Sequence, residues 1–104
     1  MHHPVSNKEI LLKELSQHRT EIKSFGVASL GLFGSFAKNS QIRDSSDVDF
    51  IVEFSNGKKT FDNFMALSFY LEEILGRKVE LVTPQSLSKY LGPHILKEVE
   101  NVYI

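Results

Sequence analysis

Asp47 and Asp49 stand at the head of the run Phe50-Ile51-Val52, separated only by Val48. Side chains alternate along a strand, so carboxylates at i and i+2 project from one face of a sheet. Two such charges repel each other unless a cation lies between them. Mg²⁺ is the oxygen-seeking ion commonly held by one or two carboxylates together with substrate phosphates. Just upstream, Leu32-Phe33-Gly34-Ser35-Phe36-Ala37 closes another apolar run with a Gly-Ser turn. A residue without Cβ lets the backbone approach a ligand closely. Ser35, at the start of a helical turn, offers its hydroxyl and neighbouring N–H groups to phosphate oxygens. An acidic strand entrance can be mere solvated surface, but aspartate is depleted inside strands. The pairing with Gly34-Ser35 therefore points to metal-assisted nucleotidyl transfer.

Glu80 lies in Lys78-Val79-Glu80-Leu81-Val82, with Val79 and Leu81 on the opposite face. A lone glutamate on an edge strand is ordinarily just exposed. If that strand pairs with the one carrying the aspartates, Glu80 points to the same site as a third carboxylate. It can then serve as metal ligand, base or both, since three carboxylates suit a two-metal site. Lys38 and Arg43 fall in the polar connection before Asp47, where cations can meet a triphosphate; solvated loop charge is the plainer reading for Arg43 and an even alternative for Lys38. His18 reads as a partly buried packing residue. Glu53 shares the face of Asp49 but lies about 13 Å further along at roughly 3.3 Å per residue, too far for a shared ion.

These residues need a scaffold, and the chain supplies it. Ser6-Asn7-Lys8-Glu9 has the form of a capping box, and Leu11, Leu12, Leu15 and Ile22 recur at helical spacing to Ser24, with Gly26 as a stop. Val27 to Phe33 is a short apolar run that suits a buried strand. A loop follows, with a helical turn after Ser35, then a strand from Asp47 to Phe54 and a turn at Ser55-Asn56-Gly57-Lys58. Thr60 caps a helix that Gly76 ends. Its stripe Phe64, Leu67, Leu71, Ile74 and Leu75 is flanked by Phe61, Met65 and Phe69, which reads as one broad core face. Lys78 to Val82 is a third strand. Thr83 caps a further helix with Pro84 at its first position. Gly92-Pro93 breaks it, and a last amphipathic turn or two carries Ile95, Leu96, Val99 and Val102. The order is α-β-β-α-β-α, an α/β (α+β) domain with a small mixed sheet and helices packed on it, taken as one domain over residues 1–104.

Composition narrows the classes. The 104 residues carry 12 basic and 13 acidic side chains, for a formal charge of −1, so no global field favours nucleic acid or an anionic membrane. The absence of cysteine excludes disulfides and thiolate metal sites. Met1-His2-His3-Pro4 has no apolar core of a signal peptide, and no apolar run approaches the ~18 residues that span a bilayer. A cytoplasmic protein is expected, without direct nucleic-acid or membrane partners. The sequence is compatible with a homo-oligomer but does not specify one.

At Gly34, Ser35, Asp47, Asp49 and Glu80 the sequence resembles the minimal nucleotidyltransferase family of prokaryotes, within the DNA polymerase beta-like superfamily. The likeness runs from Gln17-His18-Arg19 through Phe25-Gly26-Val27 to Arg77-Lys78-Val79-Glu80-Leu81-Val82-Thr83-Pro84, nearly the whole chain. Two departures stand out: Lys38-Asn39 follows Ala37 where the family pattern continues with Arg-Gly, and Glu80 replaces the more usual Asp. The resemblance implies the polymerase beta-like fold and transfer of AMP from ATP with release of pyrophosphate. It implies Mg²⁺, as two ions that Mn²⁺ can replace, held by Asp47, Asp49 and Glu80 as catalytic and metal-binding residues. Gly34, Ser35 and Lys38 would bind the nucleotide. Larger relatives hold the acceptor on an added helical domain, for which this chain has no length. The resemblance therefore implies an acceptor on a partner, a tyrosine of a HEPN-domain ribonuclease toxin, with this chain as antitoxin. The alternative is a non-catalytic nucleotide-binding antitoxin that neutralises its toxin by contact alone, with Lys38, Asn39 and Glu80 as marks of decay.

Overall fold

The computed structural model describes residues 4–90, 92–102 and 104. The chain runs α1 (Lys8–Gln17), α2 (Arg19–Ser24), β1 (Val27–Phe33), α3 (Gly34–Lys38), β2 (Val48–Phe54), α4 (Phe61–Leu75), β3 (Val79–Val82), a 3₁₀ turn (Pro84–Ser86), α5 (Gly92–Glu98) and β4 (Glu100–Val102). The strands form one mixed sheet in the order β3-β2-β1-β4. β1 is antiparallel to β2 and β4, whereas β2 and β3 are parallel. Parallel neighbours need a crossover, and α4 supplies it. This is the small mixed sheet with packed helices that the sequence pattern predicts.

Strand alternation gives the sheet two unlike faces. Leu30, Leu32, Val48, Phe50 and Val52 are fully buried on one. They form a single core with Leu11 and Leu15 of α1, Ile22 of α2, and Leu67, Leu71 and Leu75 of α4. The other face carries Asp49, Ile51 and Glu53 of β2, beside Phe33, Gly31 and Ser29 of β1 and Glu80 and Val82 of β3. A Cβ on Gly31 would lie 2.5 Å from Val99 Cγ1 and 2.9 Å from Ile51 Cγ2. The C-terminal segment thus crosses this second face over β1 and covers Ile51. Asp49 and Glu80 stand beyond it, at the end of the sheet where β1 leads into α3.

Several elements differ from the sequence pattern, each for a tertiary reason. The first helix caps on Asn7, whose side chain accepts from the Ile10 N–H, rather than on Ser6. It breaks at His18 (φ −112°, ψ 15°). There the ring Nδ1 meets Tyr70 Oη at 2.9 Å and Nε2 lies 3.5 Å from Glu14, so a partly buried polar residue ends one helix and begins the next. The segment after Thr83 closes only a 3₁₀ turn. Gly92-Pro93 opens α5 instead of breaking a helix, because proline is tolerated in a first turn where its missing N–H has no partner to lose. Val102 belongs to a fourth strand, where it lies opposite Leu30 and reaches the core that an amphipathic turn was expected to reach. On α4, Thr60 caps and Gly76 terminates as expected. Phe61 and Phe69, however, are 78% and 62% exposed, so the core face of that helix is narrower than its sequence suggests.

Candidate active site

The site assembles where three strand ends and one short helix meet. β1 delivers Gly34 into a left-handed conformation (φ 77°), a region that L side chains enter only at a cost. A Cβ there would lie 3.1 Å from Asp49 Cγ and closer still to Oδ2. Glycine at 34 is thus required twice, by its backbone angle and by the carboxylate packed against it. Ser35 follows, partly buried, in the first turn of α3.

That helix is short and its exit is unusual. Asn39 ends it with φ 53° and ψ 39°, the left-handed conformation normally given to glycine and, among other residues, best tolerated by asparagine. Its Oδ1 also accepts the Lys8 N–H at 3.0 Å, which ties the loop to α1. The Asn39 departure therefore keeps a helix-ending turn. Lys38 retains a cation, and its Nζ lies 3.3 Å from Glu98 Oε1 on α5.

Two of the three acidic residues are brought side by side by strand pairing. In the parallel pair β2–β3, Asp49 lies directly opposite Glu80, so both point from the same face. Asp47 just precedes β2 rather than opening it, and the Val48 N–H beside it is fixed to the Lys78 carbonyl at 2.9 Å. Electrostatics reports their closeness. Partial burial, then Glu80, then Asp47 push the Asp49 carboxyl from 3.8 up to about 6. Among the described residues, no three acidic or histidine side chains close into a preformed metal cage. The donor set nevertheless fits a hard cation. It consists of carboxylate oxygens on one face, with repulsion that a cation would relieve, and Mg²⁺ uses few protein ligands when phosphates supply the rest. Asp49 with Asp47, or with Glu80, provides such a pair.

Other side chains stay apart. Arg43 is exposed, and Glu53 is exposed beside Ser29, well along the sheet from Asp49. Surface clefts of about 450 Å³ at Glu72, Gly76, Arg77 and Lys78, and of about 250 Å³ at Lys59, Thr60, Phe61, Phe64 and Thr83, do not include Asp47, Asp49 or Glu80 in their lining. The carboxylate end is open, which suits a ligand gripped through phosphates rather than by apolar burial. Sequence reasoning missed Arg77, whose guanidinium binds the loop leading to Asp47. Its partners are backbone carbonyls remote in sequence, and no local spacing signals them.

The profile of the nucleotidyltransferase domain family matches residues 15–103. The chain belongs to that family. Among curated relatives, the protein adenylyltransferase MntA of Thermococcus cleftensis is 36% identical over 91 residues, covering 86% of this chain and 88% of its own. A candidate protein adenylyltransferase of Methanocaldococcus jannaschii is 40% identical over 95 residues, covering 89% of this chain and 87% of its own. A solved structure described as a candidate minimal nucleotidyltransferase superposes with a TM-score of 0.76 at 26% identity, covering 94% of this chain and 96% of that one. A Shewanella oneidensis MNT antitoxin, solved in complex with its tri-AMPylated HEPN toxin, shares the fold. Its TM-score is 0.64 at 17% identity, over 92% of this chain and 71% of that one. The chain is thus a nucleotidyltransferase with protein adenylyltransferases among its relatives.

Proposed function

We infer that this nucleotidyltransferase moves AMP from ATP to a tyrosine hydroxyl of a HEPN-domain toxin and so acts as its antitoxin. The observation that carries the reading is Asp49, in register with Glu80 and packed against Gly34 of the turn. One carboxylate thereby belongs at once to the acidic cluster and to the phosphate-binding turn. The relatives named above for protein adenylylation support the reaction class, and the fold shared with an antitoxin of an AMPylated toxin supports the acceptor.

Asp47, Asp49 and Glu80 would hold Mg²⁺, which when bound neutralises phosphate charge and eases departure of the leaving group. Gly34 lets the nucleotide-binding turn close against Asp49, and Ser35 with its neighbouring N–H groups orients the triphosphate. Lys38 adds a cation at the end of the same helix. The acceptor oxygen forms a bond to the α-phosphorus as the bond from that phosphorus to the bridging oxygen breaks. Pyrophosphate leaves with the electron pair of that bond. A Glu80 carboxylate oxygen takes the hydroxyl proton. Glu80 is one methylene longer than aspartate and reaches further from β3 toward an acceptor.

The test combines this protein, isotopically labelled ATP, Mg²⁺ and a HEPN-domain toxin, sought first among the products of neighbouring genes. The toxin is expected to gain the mass of AMP on a tyrosine and to lose its ribonuclease activity. Glu80→Gln should retain nucleotide binding and lose most transfer. Neutralisation by Asp47→Asn/Asp49→Asn without any change in toxin mass would overturn the catalytic reading in favour of contact alone.

A further inference from the structure

We propose that Arg77 is the positioning residue of this site, a clamp that fixes Asp47 by holding the 39–46 loop against the helix of the phosphate turn. Among the described residues, its hydrogen bonds all go to backbone carbonyls. Nη1 reaches Arg43 O at 2.7 Å, Ser46 O at 3.0 Å and Asp44 O at 3.3 Å, while Nε reaches Val5 O at 2.5 Å. The guanidinium also lies over the Phe36 ring, with Cζ 5.1 Å from its centroid, inside the ~6 Å range of a cation–π contact. Phe36 is fully buried and directly follows Ser35. One planar group therefore joins the N-terminal segment, the loop and α3.

The placement of Asp47 follows from this clamp. Its neighbour on one side, Ser46, gives its carbonyl to Arg77, and its neighbour on the other, Val48, gives its N–H to the Lys78 carbonyl. Asp47 is thus held between two hydrogen bonds from consecutive residues, one of the side chain and one of the backbone. The loop closes a turn of its own through Ser46 N–H to Arg43 O at 3.0 Å and Arg43 N–H to Ser46 Oγ at 2.8 Å. Residues 43–45 of that turn are exposed; Ile42 beside it packs against the core, and Arg77 supplies the hydrogen bonds that tie the turn to Val5 and α3. A lysine keeps the charge but lacks the rigid fork that serves the loop and Val5 together, and it stacks less well on Phe36.

The hold on the loop stands on these contacts alone; its consequence for metal affinity rests on the nucleotidyltransfer reading. A carboxylate with a wandering backbone should bind the cation more weakly without changing the chemistry once the cation is in place. Arg77→Met and Arg77→Lys in the full chain test both levels. By hydrogen exchange, peptides over 40–48 should exchange about tenfold faster in Arg77→Met than in wild type, with Arg77→Lys in between, while β1 and α4 stay as protected as before. In Mn²⁺ titrations with a non-hydrolysable ATP analogue, the half-saturating metal concentration should rise about tenfold. Turnover at saturating Mg²⁺ should stay within threefold. Unchanged exchange over 40–48 in both variants overturns the proposal. Equal acceleration across β1 and α4 also overturns it, because Arg77 would then support the fold at large. Absence of metal-dependent nucleotide binding in the wild type would instead sink the functional reading, with the exchange data still deciding whether Arg77 clamps the loop.

Discussion

The carboxylate of Asp49 fills the space that a Cβ on Gly34 would need. The turn and the acidic strand are thus built against each other, and neither can change shape alone. Gly34→Ala should combine two penalties: a left-handed backbone, about 1–2 kcal/mol for an alanine, and displacement of Asp49. Gly57 separates them, since its φ of 79° is similar and a Cβ there meets nothing within 4 Å. Gly57→Ala should cost only the backbone penalty in chemical denaturation. Gly34→Ala should cost more and weaken metal-dependent ATP binding at least tenfold by calorimetry. Equal stability losses and unchanged binding in both variants would show that Asp49 is not held by the turn.

Asp49 also sets a pH dependence. Its carboxyl rises from 3.8 to about 6 through burial, Glu80 and Asp47. Between those values the folded chain holds a proton that the unfolded chain releases, so this group costs stability as pH rises through the window. A shift of that size would be worth roughly 3 kcal/mol for a fully shielded group and about 1–2 kcal/mol after solvent screening of one only half-buried. Urea denaturation of wild type and Asp49→Asn should show similar stability near pH 4 and an advantage for the variant at pH 7. Mg²⁺ with ATP should raise wild-type stability at pH 7 and leave the variant unmoved. A difference between the two proteins that is constant from pH 4 to pH 7 would contradict the shift.

Local signals explain which parts of this geometry were legible in the sequence. Strand alternation set Glu80 apart from Val79 and Leu81 in the sequence, but its place beside Asp49 was conditional there and comes from the parallel register of β2 and β3, a pairing that no local spacing encodes. Thr60 and Gly76 mark the ends of α4 through cap chemistry that acts within one turn. His18 packs partly buried as its sequence position suggests, but the helix break there, the strand at Val102 and the role of Arg77 escaped because they are set by distant partners: Tyr70, the Leu30 edge of β1, and the carbonyls of Val5, Arg43, Asp44 and Ser46. The exposure of Phe61 and Phe69 escaped for the same reason, since helical periodicity marks an apolar stripe but not how far the sheet extends beneath it.

Asn39 gives a third test, of whether the family departure is tolerated. Its φ of 53° and its bond from the Lys8 N–H make separate demands on the residue. Asn39→Gly keeps the first and loses the second, and should cost under about 1 kcal/mol, the scale of one exposed hydrogen bond. Asn39→Val loses both and should cost about 2 kcal/mol or more, because a β-branched residue fits the left-handed region poorly. Thermal denaturation of the two variants side by side checks the order. A valine variant as stable as the glycine one would mean that the loop does not need the left-handed turn.

Lys38 is the residue whose role the structure leaves in competition, because its ammonium lies 3.3 Å from Glu98 across α3 and α5. Both side chains are about half-exposed, at 60% and 48%, so the pair contributes at most about 1 kcal/mol to stability. A triphosphate beside α3 offers that ammonium several oxygens and far more charge than one carboxylate. Nucleotide binding should therefore draw Lys38 away from Glu98, at a small cost that Glu98→Gln removes. Glu98→Gln is expected to tighten Mg²⁺·ATP binding up to threefold, and Lys38→Gln to weaken it about tenfold. Neither should move the denaturation midpoint appreciably. Calorimetric titration of both variants decides between the two partners. If Lys38→Gln binds nucleotide as wild type does, the lysine is a strut between α3 and α5, and the triphosphate is held by the Gly34-Ser35 turn without it.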